Sequence, residues 1–166
     1  MKRLSVVPFA LAVALLIPTT AHGQSQSDID AINRLIDQYG ELEDAMDMTA
    51  QGALMADDRV WIAQGAGRRT DQAMNMRIQQ AGFDALREAV PGVRAFTEDR
   101  DRLIKFRGNN TVAVASFYRY RTFVVPGGDA IPSPPVNALT LVLEKRGSEW
   151  KIVHSHASAL GPPVAN

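Results

Sequence analysis

The chain has 166 residues, with 18 Lys and Arg residues against 18 Asp and Glu residues, and it contains no Cys. This length is typical of one domain, and the lack of Cys excludes disulfides, thiol chemistry and cysteine-ligated metal sites. The even charge balance argues against a protein that binds nucleic acid or an anionic membrane surface, because such proteins carry a basic face.

Residues 1–23 have the pattern of a cleavable signal peptide. A basic start precedes an apolar run over residues 6–17, and Ala21 and Gly23 place small side chains where a signal peptidase needs them. The apolar run is shorter than the ~20 residues that span a bilayer. We therefore expect a periplasmic or secreted protein whose mature chain, residues 24–166, is a single domain with no membrane attachment after leader removal.

Helices dominate the first half of this mature chain. Apolar residues at helical spacing predict a first helix from Ser27 to about Met48, and a second helical segment ends near Leu54. Thr70 is the expected N-cap of a third helix, which Pro91-Gly92 ends.

Strands dominate the second half. Runs rich in β-branched and aromatic residues predict strands over 60–63, 103–106, 111–125, 136–145 and 150–158. A hairpin turn is expected at 108–110, and a loop at 126–135, where Pro and Gly are concentrated. Helices followed by an antiparallel meander indicate an α+β fold in which the helices pack on one face of a curved sheet.

The last strand carries the most informative motif, Trp-Lys-Ile-Val-His-Ser-His-Ala-Ser at residues 150–158. It resembles the closing strand of SnoaL-like members of the nuclear-transport-factor-2-like superfamily, and especially that of the calcium/calmodulin-dependent kinase association domain. The Ala56-Asp57-Asp58 step, 17 residues after Tyr39, is similar to the interval in ketosteroid isomerases. The resemblance implies a cone-shaped fold, with a curved antiparallel sheet wrapped by about three N-terminal helices, one deep pocket, and homodimerisation through the sheet.

The resemblance also implies which chemistry is missing. Ketosteroid isomerases carry a general-base Asp seven residues after that Ala, and the corresponding residue here is Ala63. Without this base, the proton next to a ketone has no carrier. We therefore reject steroid isomerisation by that mechanism.

The kinase association domain directs three arginines into its pocket. The equivalent positions here are Arg121, which is retained, and Leu141 and Ala157, which are apolar. The implied pocket has one guanidinium against an apolar wall. It suits a small, mostly apolar ligand with one acidic or carbonyl oxygen, because Arg offers a fork of hydrogen-bond donors.

Four residues are candidate catalytic groups. Tyr39 and Arg121 would polarise a substrate oxygen, and His154, or failing that Asp57, would act as acid or base. Each also has a structural interpretation: a core aromatic, a solvated strand end, an interface histidine and a helix cap, respectively.

Six further residues are candidate ligand contacts: Trp61, Arg119, Asn137, Leu141, Ser155 and His156. His154 and His156 share one face of their strand, but no third metal ligand is evident, so we expect neither a metal nor another cofactor. Their parity is opposite to that of Ser155 and Ala157, which equally fits a position at a subunit interface.

Two functional hypotheses remain open. The first is an exported SnoaL-like protein that binds a small, mostly apolar molecule in the cone, with activity as a cofactor-free isomerase, cyclase, dehydratase or lyase as an open option. The alternative is a non-catalytic ligand-binding or dimerisation module with a degenerate pocket. The direction in which the rings of His154 and His156 point discriminates between them.

Overall fold

The computed structural model describes residues 25–63, 67–128 and 130–159, with the backbone alone for residues 130–136. The signal peptide predicted from the sequence lies outside these residues. In this part of the chain no helix is both long and apolar enough to cross a membrane. The elements are α1 (Gln26–Asp44), α2 (Met48–Gly52), β1 (Met55–Ala63), β2 (Gly67–Arg69), α3 (Gln72–Ala89), β3 (Arg94–Arg107), β4 (Val112–Val124), β5 (Ala130–Arg146) and β6 (Glu149–Ala159).

The strands form one curved sheet in the order β2-β1-β6-β5-β4-β3. Strands β3 to β6 are the expected antiparallel meander. The predicted α+β class, with helices wrapped around a curved sheet, is confirmed. Strand β1 departs from the antiparallel pattern, because it pairs in parallel with β6, Trp61 lying beside Ser155.

Three strands begin well before the residues that the sequence pattern predicts, and the first is β1, which begins at Met55 rather than at Val60. Strand β5 begins at Ala130, so part of the expected loop over residues 126–135 is strand, and Pro132 pairs with Thr122. Strand β3 begins at Arg94 rather than at Leu103. It is an edge strand with one exposed face, and such strands carry charged residues that weaken the pattern of a strand.

Both long helices begin at residues other than the expected ones. Asp71, not Thr70, is the N-cap of α3, and its carboxylate accepts a hydrogen bond from the backbone amide of Met74 over 2.8 Å. Ser25 occupies the N-cap of α1, ahead of Ser27, without a side-chain capping bond.

The core lies between α1 and the inner face of the sheet. Ile32 and Ile36 of α1 are fully buried, as are Leu141 and Leu143 of β5. At one end, the rings of Phe106 and Trp150 meet edge to face with centroids 5.8 Å apart. The apolar stripe of α1 thus fixes the helix across the sheet.

A β-bulge in β6 changes which residues face this core. Leu143 pairs with Ile152, but the next residue of β5, Val142, pairs with His154, so β6 contains one extra residue at this point. Before the bulge Ile152 faces inward, and after it Ser155 does. His154 therefore lies on the outer face of the sheet.

Candidate functional site

A cavity of about 420 Å³ lies inside the cone, between the two long helices and the inner face of the sheet. Aliphatic, aromatic and polar side chains share its walls, and the polar ones come from both helices and from the sheet. The lining residues are Tyr39, Glu43, Trp61, Ala63, Gln79, Gly82, Phe83, Leu86, Arg119, Arg121, Asn137, Leu139 and Ala157. Five of the candidate site residues are thus brought together: Tyr39, Trp61, Arg119, Arg121 and Asn137.

Arg119 lines the cavity, but each of its three side-chain nitrogens already donates a hydrogen bond to a carboxylate. Its Nε and Nη2 donate to the two carboxylate oxygens of Asp99 over 2.8 and 2.7 Å, and its Nη1 donates to Glu43 over 2.6 Å. The guanidinium also lies 4.7 Å from the ring centroid of Tyr39. With a side chain only 3% exposed, Arg119 holds the wall together rather than offering a free cation.

Arg121 is the more available guanidinium, since 27% of its side chain is exposed. Its Nη2 forms an ion pair with Glu43, and the guanidinium lies 5.8 Å from the ring centroid of Phe83. Burial lowers the pKa of Arg121, and the charge that Tyr39 gains on ionisation opposes this shift. An arginine nevertheless stays protonated near neutral pH.

Trp61 and Asn137 complete the side of the cavity formed by the sheet. The indole of Trp61 is covered by the guanidinium of Arg69, 5.3 Å from the ring centroid. Ala63, which occupies the position of the isomerase base, also lines this cavity. A carboxylate at that position would have faced the ligand, and its replacement by a methyl group leaves this wall apolar.

Asp57 does not line the cone. It is exposed and lines a larger groove of about 860 Å³, formed with α2 and α3. The pairing of β1 with β6 is irregular between Met55 and Val60, so the strand parity is interrupted where Asp57 lies. The prediction of Asp57 as a base inside the cone is corrected accordingly.

His154 and His156 lie on the outer face of the sheet, so their predicted places in the pocket are also corrected. Burial, followed by the charges of His156 and Arg59, lowers the pKa of the half-buried His154. His156 is exposed, with its Nε2 3.3 Å from the hydroxyl of Ser158. Within the described residues, no three His, Asp or Glu side chains are arranged to hold a metal ion.

Leu141 and Ser155 face inward but are packed in the core outside the cavity lining. Leu141 is fully buried in the main hydrophobic cluster. Ser155 is 3% exposed, and its hydroxyl has no hydrogen-bond partner among the described residues. Contact with a ligand, which was the predicted role of both residues, does not follow from this inward orientation.

Glu43 was not among the residues predicted from the sequence, although the sequence carries a signal for it. Glu43 lies four residues after Tyr39 on the buried stripe of α1, where a charged residue is expected only with a partner. Its two carboxylate oxygens contact Arg119 and Arg121 separately. It is the one carboxylate among the described residues that line the cavity.

Arg59 was also missed. It is 1% exposed on β1, and its Nη1 contacts the sulfur of Met55, while its Nε and Nη2 have no hydrogen-bond partner among the described residues. Burial lowers the pKa of Arg59, and ionised Tyr39 opposes this shift. Arg59 does not line the cavity.

The aromatic rings of this cavity can hold an uncharged or weakly polar molecule, and its polar side chains can orient one oxygen atom of that molecule. Arg121 and Asn137 offer side-chain donors, while Trp61 and Phe83 offer flat apolar surfaces. The ion-paired Glu43 is the single carboxylate that could take part in proton transfer within this lining.

Comparisons with known proteins agree with this fold. The chain is similar in structure to a nuclear-transport-factor-2-like protein with a cystatin-like fold from Novosphingobium aromaticivorans, with 20% identity, a TM-score of 0.67, and coverage of 82% of this chain and 85% of the other. A candidate scytalone dehydratase from the same organism shows 12% identity and a TM-score of 0.67, covering 81% and 85%.

A third similar structure is a candidate association domain of calcium/calmodulin-dependent protein kinase II from Xanthomonas campestris, with 19% identity, a TM-score of 0.62, and coverage of 80% and 87%. At these identities the likeness concerns the fold alone. The search of curated proteins returned no match. The model of the SnoaL-like domain family matches residues 32–162, and the chain therefore belongs to the SnoaL-like domain family.

Proposed function

We propose that this is an exported SnoaL-like protein that binds a small, mostly apolar molecule with one carbonyl or acidic oxygen inside its cone. The observation that carries the proposal is the partly exposed guanidinium of Arg121 on the wall of a cavity that Trp61, Phe83 and Leu139 also line. A volume of about 420 Å³ falls within the roughly 300–1,000 Å³ typical of small-molecule sites.

The lining residues suggest how such a ligand would lie. Its apolar body would pack against Trp61, Phe83 and Leu139, and its oxygen would accept hydrogen bonds from Arg121 and Asn137. Arg119 would support this wall indirectly, because its donors are committed to carboxylates.

A second candidate is catalysis in the same cavity. Tyr39 and Arg121 both line it and could polarise a bound oxygen, which would suit a cofactor-free isomerisation, cyclisation, dehydration or lyase step. The fold resembles that of a candidate scytalone dehydratase. However, the acid and base first considered, His154 and Asp57, lie outside the cavity. Binding without turnover is therefore the leading proposal.

Export is supported by the leader pattern of residues 1–23. The mature protein would then act in the periplasm or outside the cell. Expression of the full chain followed by fractionation and N-terminal sequencing tests this, and an intact leader on protein in the cytoplasmic fraction would contradict it.

A homodimer through the outer face of the sheet is the proposed assembly. Leu103 and Tyr118 on this face are 54% and 40% exposed, which is a high exposure for large apolar side chains. Light scattering of the mature protein tests the dimer, and Tyr118→Asp is expected to favour the monomer. A monomeric wild type would contradict the proposed homodimer, and it would also contradict the alternative that the protein is a dimerisation module.

The binding experiment is a thermal-shift screen of residues 24–166 against small aromatic, terpenoid and carbonyl compounds. A ligand should raise the melting temperature of wild type but not of Arg121→Ala. The matched control is Arg100→Ala, which removes an exposed arginine paired with Glu98 and should keep the shift. An equal shift in Arg121→Ala would contradict binding at Arg121.

A further inference from the structure

Both oxygens of the Glu43 carboxylate are paired with arginines. One accepts a hydrogen bond from Nη1 of Arg119 over 2.6 Å, and the other contacts Nη2 of Arg121. The Glu43 side chain is only 10% exposed, yet the residue lines the cavity. Glu43 therefore shapes the electrostatic environment of any group that reaches Arg121.

The charges on this wall alternate along a chain of contacts. Asp99 holds Arg119 through two hydrogen bonds, Arg119 holds Glu43, and Glu43 holds Arg121. Arg102 also contacts Asp99 over 3.6 Å and Asp37 over 2.6 Å, so three cations are balanced by three anions before any ligand enters. The positive charge of Arg121 is already compensated at the point where a ligand oxygen would bind.

A ligand carboxylate at Arg121 would place a further anion next to Glu43. In a partly buried site the repulsion between the two carboxylates is weakly screened, and a bidentate contact with Arg121 would share the Nη2 that already contacts Glu43. A neutral carbonyl oxygen needs only one free N–H of the guanidinium and introduces no charge.

We propose that Glu43 is a specificity-determining residue that makes the cavity select a neutral carbonyl oxygen over a carboxylate. This inference rests on the proposed function. Arg59 does not line the cavity, so it would make no direct contact with the ligand oxygen. Glu43 lies in direct contact with Arg121, and the nearer charge has the larger effect.

The test is calorimetric titration of the mature protein with two probes of similar shape, 2-acetylnaphthalene and 2-naphthoate, at neutral pH and low salt. Wild type is expected to bind the ketone at least about tenfold more tightly than the carboxylate. Glu43→Gln keeps an oxygen for the arginines but removes the charge, and it should bind the carboxylate at least about tenfold more tightly than wild type does.

The matched control is Glu41→Gln on the exposed side of the same helix, which should behave as wild type. A wild type that prefers the carboxylate, or a folded Glu43→Gln variant with unchanged preference, would overturn the role of Glu43 and leave ligand binding intact. If Glu43→Gln fails to fold, the ratio of the two affinities of wild type, for the ketone and for the carboxylate, decides whether the cavity selects a neutral oxygen. Absence of binding of both probes to wild type would overturn the proposed function as well.

Discussion

Glu43 and Arg119 lie 76 residues apart in the chain, and their side chains meet over 2.6 Å inside the cone. The contact joins the last turns of α1 to β4, while Asp99 of β3 holds the other side of the same guanidinium. One buried arginine therefore ties three elements together at the wall of the cavity.

Removal of that arginine should be costly. Arg119→Met would leave the carboxylates of Glu43 and Asp99 buried with fewer partners, and the free energy of unfolding should fall by about 3–5 kcal/mol. Urea denaturation of the mature protein measures this. Arg100→Met is the control, because it breaks an exposed pair with Glu98, and it should change stability little. Equal effects of the two substitutions would contradict the role of Arg119.

Replacement of Arg59 should have the opposite effect on stability from replacement of Arg119. Its guanidinium is buried without an ion-pair partner among the described residues, so the folded state carries an uncompensated desolvation cost. Arg59→Met keeps most of the side-chain volume and should raise the free energy of unfolding by about 1–3 kcal/mol. A loss of stability in the same denaturation experiment would show that the guanidinium has a partner that offsets its burial.

His154 should make the stability of the protein depend on pH. Burial, His156 and Arg59 lower its pKa below the usual value of 6.5, so the folded state binds the proton less readily than the unfolded state. The stability contribution is complete above that value and is lost as the pH falls through the lower folded pKa. His154→Gln should flatten the curve of unfolding free energy against pH in this range, and parallel curves would contradict the shift.

Asp28 should make the free energy of unfolding depend on pH in the acid range. Lys145 and Trp150 donate hydrogen bonds to its carboxylate over 2.7 and 3.1 Å. The bond from Lys145 is the largest cause of the lowering of the Asp28 pKa below 3.8. The stability gained is present above pH 3.8 and disappears as the pH falls through the folded pKa.

The corresponding variant is Asp28→Asn. It should be less stable than wild type by roughly 1–3 kcal/mol at neutral pH, and the two proteins should converge in acid. Denaturation midpoints measured over this pH range check the prediction. A constant difference at every pH would mean that the substitution disturbs packing rather than a charge-dependent hydrogen bond.

The fold was largely predictable because local patterns determine it. The apolar stripe of α1 and the motif of β6 are read directly from the sequence. The parallel pairing of β1 with β6 was not predictable, since it depends on contacts between residues about 94 positions apart, such as Trp61 and Ser155. The strand character of Ala130 and its neighbours was hidden by prolines, which edge and bulge positions tolerate.

The site was predicted less completely, and the bulge in β6 shows why. Simple alternation places His154 on the same face as Trp150, whereas one extra residue moves Ser155 inward instead. The role of Glu43 could be suspected from its place on an apolar stripe, but its pairing with arginines of β4 depends on the tertiary fold.

The central claim is that a small molecule occupies the cone, and tryptophan fluorescence tests it most directly. The chain has two tryptophans: Trp61 lines the cavity, whereas Trp150 is 6% exposed and packs in the core. A ligand that stabilises the protein should change the fluorescence of wild type, and in Trp61→Phe it should still stabilise but leave the fluorescence unchanged. A stabilising ligand that leaves wild-type fluorescence unaltered, or alters Trp61→Phe equally, would place binding outside the cone and contradict the account.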